Sequence, residues 1–165
     1  MTTFVIPFRA DGKTRLGDPK LATAMLSDVI AAVRALAGEA LLADAPGGQG
    51  KVLALALAVQ RGPVTILNSD LPCITSAEIE ELTEAAPAIV PAADGTTNAI
   101  ALKDAADFTP LYGPDSAARF EAHLGATRLD LPGIRDDVDT WDDLERVRER
   151  LGSNTLEYLK TLAHA

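Results

Sequence analysis

Short runs rich in Val, Ile and Phe alternate along this chain with longer stretches of helical period, and no other feature restricts the fold as much. Phe4–Phe8 (FVIPF) reads as a buried strand, and Ala40–Ala43 as a brief one. Between them Leu21, Met25, Val29 and Val33 recur at helical spacing, with Pro19 near the start and Gly38 past the end. Lys51–Gln60 is an apolar helix closed by Gly62-Pro63, and Val64–Asn68 (VTILN) is the most hydrophobic strand. Strands are also predicted at Ala88–Pro91, at NAIALK after the turn DGTTN, and at Thr127–Leu131. Helices are predicted after a cap at Thr75 or Ser76, from about Ser116 to His123, over Trp141–Leu151 and over Asn154–Leu162. This alternation predicts a three-layer, Rossmann-like α/β fold: a mostly parallel sheet with helices on both faces.

The 165 residues fit one domain spanning residues 1–165, without a repeat or a linker to divide them. Aromatic residues make up only 4%, so the core must be built from Ala, Leu, Val and Ile. A net charge of −9 argues against a nucleic-acid or anionic-membrane partner, although a locally positive site can still hold a small anion. One cysteine, Cys73, rules out an internal disulfide or a thiolate zinc cage and reads as buried filler beside Pro72. No leader segment is evident and no apolar run reaches the ~18 residues of a membrane span, so a cytoplasmic location is expected.

In parallel α/β sheets ligands sit at the carboxyl ends of the strands, which directs attention to the polar loops there. Arg9, Lys13 and Arg15 follow the first strand, with Gly12 and Gly17 loosening the backbone. Cations beside free amides suit a triphosphate, although a solvated basic loop has the same composition and no Walker motif is present. Asp70 ends the VTILN strand, where it can cap a turn or offer the hard oxygen that magnesium requires. Asp137 and Asp139 flank Val138, so in an extended segment both carboxylates point to one side while Val138 turns inward. Asp136, Asp142 and Asp143 are assigned to capping and to the dipole of the helix beginning at Trp141, and Trp141 to anchoring that helix. The turns DGTTN and YGPDS offer amides and hydroxyls, as ordinary turns and caps also do. His123 and His164 make neither a catalytic triad nor a histidine metal cluster.

The segments FVIPFRADGKTRL, AMLSDVIAAV, NSDLP, GTTNAIAL, YGPDSAARF and DVDTWDDL occur here in the order found in 2-phospho-L-lactate guanylyltransferases of deazaflavin coenzyme biosynthesis, and the chain resembles that family. The resemblance implies a GT-A-like nucleotidyltransferase fold and a magnesium-dependent reaction with one or two ions. In that reaction a phosphorylated three-carbon acid (2-phospho-L-lactate, phosphoenolpyruvate or 3-phosphoglycerate) attacks the α-phosphate of GTP and releases pyrophosphate. Carried over by motif, Lys13 and Arg15 would hold the GTP phosphates and, with Asp70, act in catalysis, while Arg9 and Gly48 would belong to the nucleotide site. Asp70, Asp137 and Asp139 would hold the metal, and Thr97, Gly113 and Ser116 the acceptor's carboxylate. A homodimer is compatible with this reading. Family members usually have an additional strand and helix where this chain has only GEALLADAPGG, before a base-binding loop that reads Gly48-Gln49-Gly50-Lys51 here. Two alternatives stand beside this reading: another small-molecule nucleotidyltransferase of the molybdopterin or sugar-phosphate type, and a catalytically silent nucleotide-binding homologue. The first usually carries an LxGGxSxRMG loop where this chain has PFRADGKTRLG.

Overall fold

The computed structural model describes residues 1–9, 15–44 and 47–164. Six strands, β1 (Thr3–Pro7), β2 (Ala40–Ala43), β3 (Val64–Leu67), β4 (Ala88–Pro91), β5 (Thr97–Leu102) and β6 (Thr127–Arg128), form one sheet in the order β2-β1-β3-β5-β4-β6. The helices are α1 (Pro19–Arg34), α2 (Gln49–Leu57), α3 (Ser76–Glu84), α4 (Ser116–Leu124), α5 (Pro132–Arg135), α6 (Trp141–Arg146) and α7 (Ser153–Ala163). The sheet is mixed but mostly parallel. β1 runs parallel to β2 and β3, and β4 to β6, whereas β5 is antiparallel to both of its neighbours. The five-residue turn after β4 causes this, because it is too short for a crossover and returns the chain directly as β5.

Alternation along the strands divides the core into two layers. Phe4 and Ile6 of β1, Leu67 of β3 and Val90 of β4 face Leu26, Val29 and Val33 of α1 and Ile79 and Leu82 of α3. Val5, Ile66, Ile89 and Ile100 face the opposite way, toward Leu53 and Leu57 of α2 and Phe120 of α4. A third cluster joins Leu21 and Met25 of α1 to Cys73, Val138, Leu144, Val147 and Leu159, binding the C-terminal helices to the end of the sheet where β1 and β3 finish.

A buried carboxylate secures that attachment. Asp28, on the inner face of α1, accepts hydrogen bonds from the backbone amides of Asn154 (2.9 Å) and Thr155 (3.1 Å) and from the Thr155 hydroxyl (2.5 Å). It thereby satisfies amides at the start of α7 that have no partner within the helix. Gly152 must lack a side chain because a Cβ there would run into the Asp28 carboxylate. Asp18 serves α1 in the same way, capping Lys20 and Leu21 and also accepting from the Tyr158 hydroxyl of α7.

Several predicted elements differ in extent. The strand expected over Thr127–Leu131 is only Thr127–Arg128, because Pro132 starts the short helix α5, which sequence periodicity did not reveal. The helix expected over Trp141–Leu151 stops at Arg146 and tightens into a 3-10 turn at Arg148–Arg150. Packing Val147 and Leu151 against Cys73 and Met25 draws the chain inward there. Among the described residues no helix is long and apolar enough to cross a membrane.

Candidate active site

β3 is buried along its whole length and releases the chain at Asn68-Ser69-Asp70, on the edge where β1 also ends. Opposite Asp70 runs the extended segment between α5 and α6. The backbone amide of Val138 donates to the Asp70 carbonyl at 3.0 Å, and the Val138 side chain is buried. As the alternation predicts, this turns Asp137 and Asp139 to the same side as Asp70. Carboxylate oxygens of Asp70, Asp137 and Asp139 all lie within 4.8 Å of one another.

Three carboxylates at that separation are electrostatically unstable by themselves. Burial, followed by the charges of Asp137 and Asp139, pushes the Asp70 carboxyl well above the ordinary range. Burial likewise raises Asp137, opposed by a hydrogen bond from Asn98. Among the described residues Asp70 Oδ1 is the one buried side-chain oxygen or nitrogen without a hydrogen-bond partner. An all-oxygen donor set with an orphaned carboxylate oxygen fits a hard divalent cation, which would supply the missing partner and cancel the repulsion.

The cluster borders a cleft of about 500 Å³ whose wall includes Arg9, Arg15, Gly47, Gln49, Asn68 and Asp139. Arg9 and Arg15 thus face the same space as the aspartates, whereas Lys13 lies outside the described residues. Gly48 is the N-cap of α2, with extended backbone and no side chain to occupy the helix's first amides. Trp141 donates its indole N–H to the Leu16 carbonyl at 3.3 Å, so it anchors the end of the basic loop as well as its own helix.

Thr97, Gly113 and Ser116 also come together. The Thr97 and Ser116 hydroxyls share a hydrogen bond of 2.8 Å, and the Ser116 amide donates to the Gly113 carbonyl. Both hydroxyls are buried, so two hydroxyls sharing one bond leave a single proton to offer a ligand. The turn needs glycine at Gly113, whose φ of +119° is disfavoured for side chains.

Among the neighbouring acids, Thr140 is the N-cap of α6 and Asp143 completes its capping box. Asp142 lies in that helix's first turn, where its charge complements the dipole. Asp136 does not cap α6, contrary to expectation. It pairs with Arg135 (2.8 Å) and Arg150 (2.7 Å), which hold its carboxyl below the ordinary range. Cys73 is buried as expected, and desolvation pushes its thiol up to about 11. Sequence reasoning missed three amides. Asn98 is 3% exposed and contacts Asp137, while Asn68 joins it to Gln49 at the start of α2. A buried Asn inside the apolar strand NAIALK was the available signal, since an unpaired amide is costly there.

The fold matches solved structures described as transferases. A protein from Desulfovibrio desulfuricans G20 described as a nucleotide-diphospho-sugar transferase superposes with a TM-score of 0.73 at 16% identity, covering 98% of this chain and 95% of that one. A transferase structure from Thermus thermophilus gives a TM-score of 0.58 at 20% identity, covering 87% of this chain and all of that one. No protein-family profile matches the chain. Whole-length relatives are nevertheless clear. A phosphoenolpyruvate guanylyltransferase of Streptomyces avermitilis is 36% identical over 187 aligned positions, covering 86% of each chain. A 2-phospho-L-lactate guanylyltransferase of Methanoregula boonei is 32% identical over 190 positions, covering 96% of this chain and 87% of that one. A third relative, from Nocardia farcinica, is 40% identical, but the match spans only 46% of its length. The alignments with the first two are longer than this chain's 165 residues, so those relatives carry insertions that it lacks. On these grounds the chain belongs to the phosphoenolpyruvate and 2-phospho-L-lactate guanylyltransferase family.

Proposed function

We propose that this chain transfers GMP from GTP to a phosphorylated three-carbon acid, phosphoenolpyruvate or 2-phospho-L-lactate (or 3-phosphoglycerate), in deazaflavin coenzyme biosynthesis in the cytoplasm. The observation that carries the proposal is the convergence of Asp70, Asp137 and Asp139 within 4.8 Å at the mouth of a cleft walled by Arg9 and Arg15. A phosphate oxygen of the acceptor forms a bond to the α-phosphorus of GTP. The bond from that phosphorus to the bridging oxygen breaks, and pyrophosphate leaves with the electron pair. The nucleophile is already an anion, so no general base is needed, and none of the described residues lining the cleft is a histidine.

Asp70, Asp137 and Asp139 would hold magnesium, which when bound offsets the negative charge of the reacting phosphates. Arg9, Lys13 and Arg15 bind the triphosphate and hold its α-phosphorus in line with the acceptor, a contribution of orientation and charge. Gly48 and the loop around it approach the nucleobase. Thr97, Gly113 and Ser116 receive the acceptor's carboxylate through the remaining hydroxyl proton and backbone groups.

Mass spectrometry of products from GTP, magnesium and the mixed acceptors tests the reading. The expected result is a guanylylated acid together with pyrophosphate. Tight GTP binding with no pyrophosphate from any acceptor would favour a silent homologue, to which the shortened segment before Gly48 lends support. Turnover of CTP or UTP in preference to GTP would overturn the guanine assignment.

A further inference from the structure

We propose that Asn98 is the positioning residue for Asp137 and that it sets the affinity of the carboxylate cluster for a divalent cation. The inference rests on the metal reading given above. Asn98 lies on β5, 3% exposed, with its side chain directed at the chain leaving α5. Its amide nitrogen lies 2.9 Å from the Ile134 carbonyl, 3.0 Å from the Arg135 carbonyl and 3.1 Å from Asp137 Oδ1. All three neighbours are acceptors, so the atom facing them must be the nitrogen, and the orientation of the amide is determined chemically.

The oxygen end is constrained as well. Asn68 donates to Asn98 Oδ1 at 3.4 Å and to the Thr97 carbonyl at 3.2 Å, and it accepts from Gln49 Nε2 at 2.7 Å. A directed row of amides therefore runs from the first turn of α2 to Asp137. Asn98 grips both the backbone at Ile134 and Arg135 and the carboxylate two residues further on. Buried Val138 and its bond to the Asp70 carbonyl fix the other side of the segment. Among the described residues Asn98 is the one whose side-chain amide donates to the Asp137 carboxylate from a strand of the sheet.

A carboxylate ligand fixed in this way binds more tightly than one free to rotate, and loss of such partners typically weakens metal affinity by about 10–100-fold. The test compares wild type and Asn98→Ala by Mn²⁺ titration, following free Mn²⁺ by electron paramagnetic resonance without substrates. The expected result is a dissociation constant raised about tenfold or more. In turnover the magnesium concentration for half-maximal rate should rise in parallel, with much of kcat recovered at saturating magnesium. A purely structural role would lower Tm and leave Mn²⁺ affinity and the magnesium requirement unchanged, which would overturn the proposal. Failure of wild type to bind Mn²⁺ would instead overturn the metal reading together with this inference. If Asn98→Ala does not fold, nuclear magnetic resonance of the wild type decides. The Asn98 side-chain amide signals should move on magnesium titration while those of Asn154 stay still, and equal behaviour of the two refutes the proposal.

Discussion

Replacing Asp70 with Asn should make the metal-free protein more stable while removing its response to a divalent cation. Asn preserves the shape of the side chain and its backbone bond to Val138, and supplies an amide that can donate to Asp137 or Asp139. At the 4.8 Å that bounds the cluster, two full charges repel by about 3.5 kcal/mol at an effective dielectric of ~20. The penalty has a ceiling. Keeping Asp70 protonated at pH 7, against an unfolded pKa of ~3.9, costs about 4 kcal/mol, so repulsion beyond that value is relieved by proton uptake. Asp139 is exposed and adds little, because water screens it. Allowing for relaxation, Asp70→Asn should gain about 2–3 kcal/mol, a rise of ~4–12 °C in Tm for a chain of this size. Wild type should recover in magnesium, since a cation at ~100 times its Kd adds about 2.7 kcal/mol, and the variant should not. Thermal unfolding in EDTA and in magnesium measures both effects, and the order of stability should narrow or reverse between the two buffers. A variant that melts no higher than wild type in EDTA, or that keeps the full magnesium response, would refute the electrostatic account.

The same cluster predicts an unusual pH dependence. Asp137 is raised to about 6 when folded, so the native state takes up protons before the unfolded state does. The metal-free protein should therefore gain stability as pH falls from 7.5 through about 6 toward the ordinary carboxylate value of ~4, and magnesium should flatten the trend. Asp94, Asp136 and Asp143 are held below their ordinary range, so their opposing losses fall at lower pH. Asp28→Ala should cost about 3 kcal/mol by stranding the amides at the start of α7, seen as a lower midpoint in urea. An unchanged midpoint would remove Asp28 from the attachment of α7. Arg15→Ala should raise the KM for GTP at least several-fold with less effect on the acceptor KM, and the reverse pattern would move Arg15 out of the nucleotide site. Trp141, the chain's single tryptophan, should change its fluorescence when GTP binds, because its indole is bonded to Leu16 beside Arg15.

Local chemistry made the strands β2 and β4 legible to the residue: each is a short apolar run bounded by turn residues. The inward turn of Val138 could likewise be read from simple alternation, and with it the shared direction of Asp137 and Asp139. What alternation cannot report is strand order. The antiparallel course of β5 follows from the short turn before it, but its place between β3 and β4 depends on which faces the helices cover. Four residues of α5 carry too little periodicity to be seen, and the end of α6 depends on burying Val147 and Leu151. Asp136 looked like a cap because neither the turn of the adjacent Arg135 side chain onto it nor the approach of Arg150 from fourteen residues away shows in local pattern.

The sequence by itself determined the alternating α/β architecture, the family and the aspartates worth attention, because periodicity, turn chemistry and motif order are properties of neighbours along the chain. Only the tertiary structure decided that Asp70 meets Asp137 and Asp139, that Arg9 and Arg15 share their cleft, and that Asn98 holds Asp137 in place. Carboxylate separation, burial and an orphaned oxygen arise between segments far apart in sequence, and they come into being only when the sheet has brought those segments to the same edge.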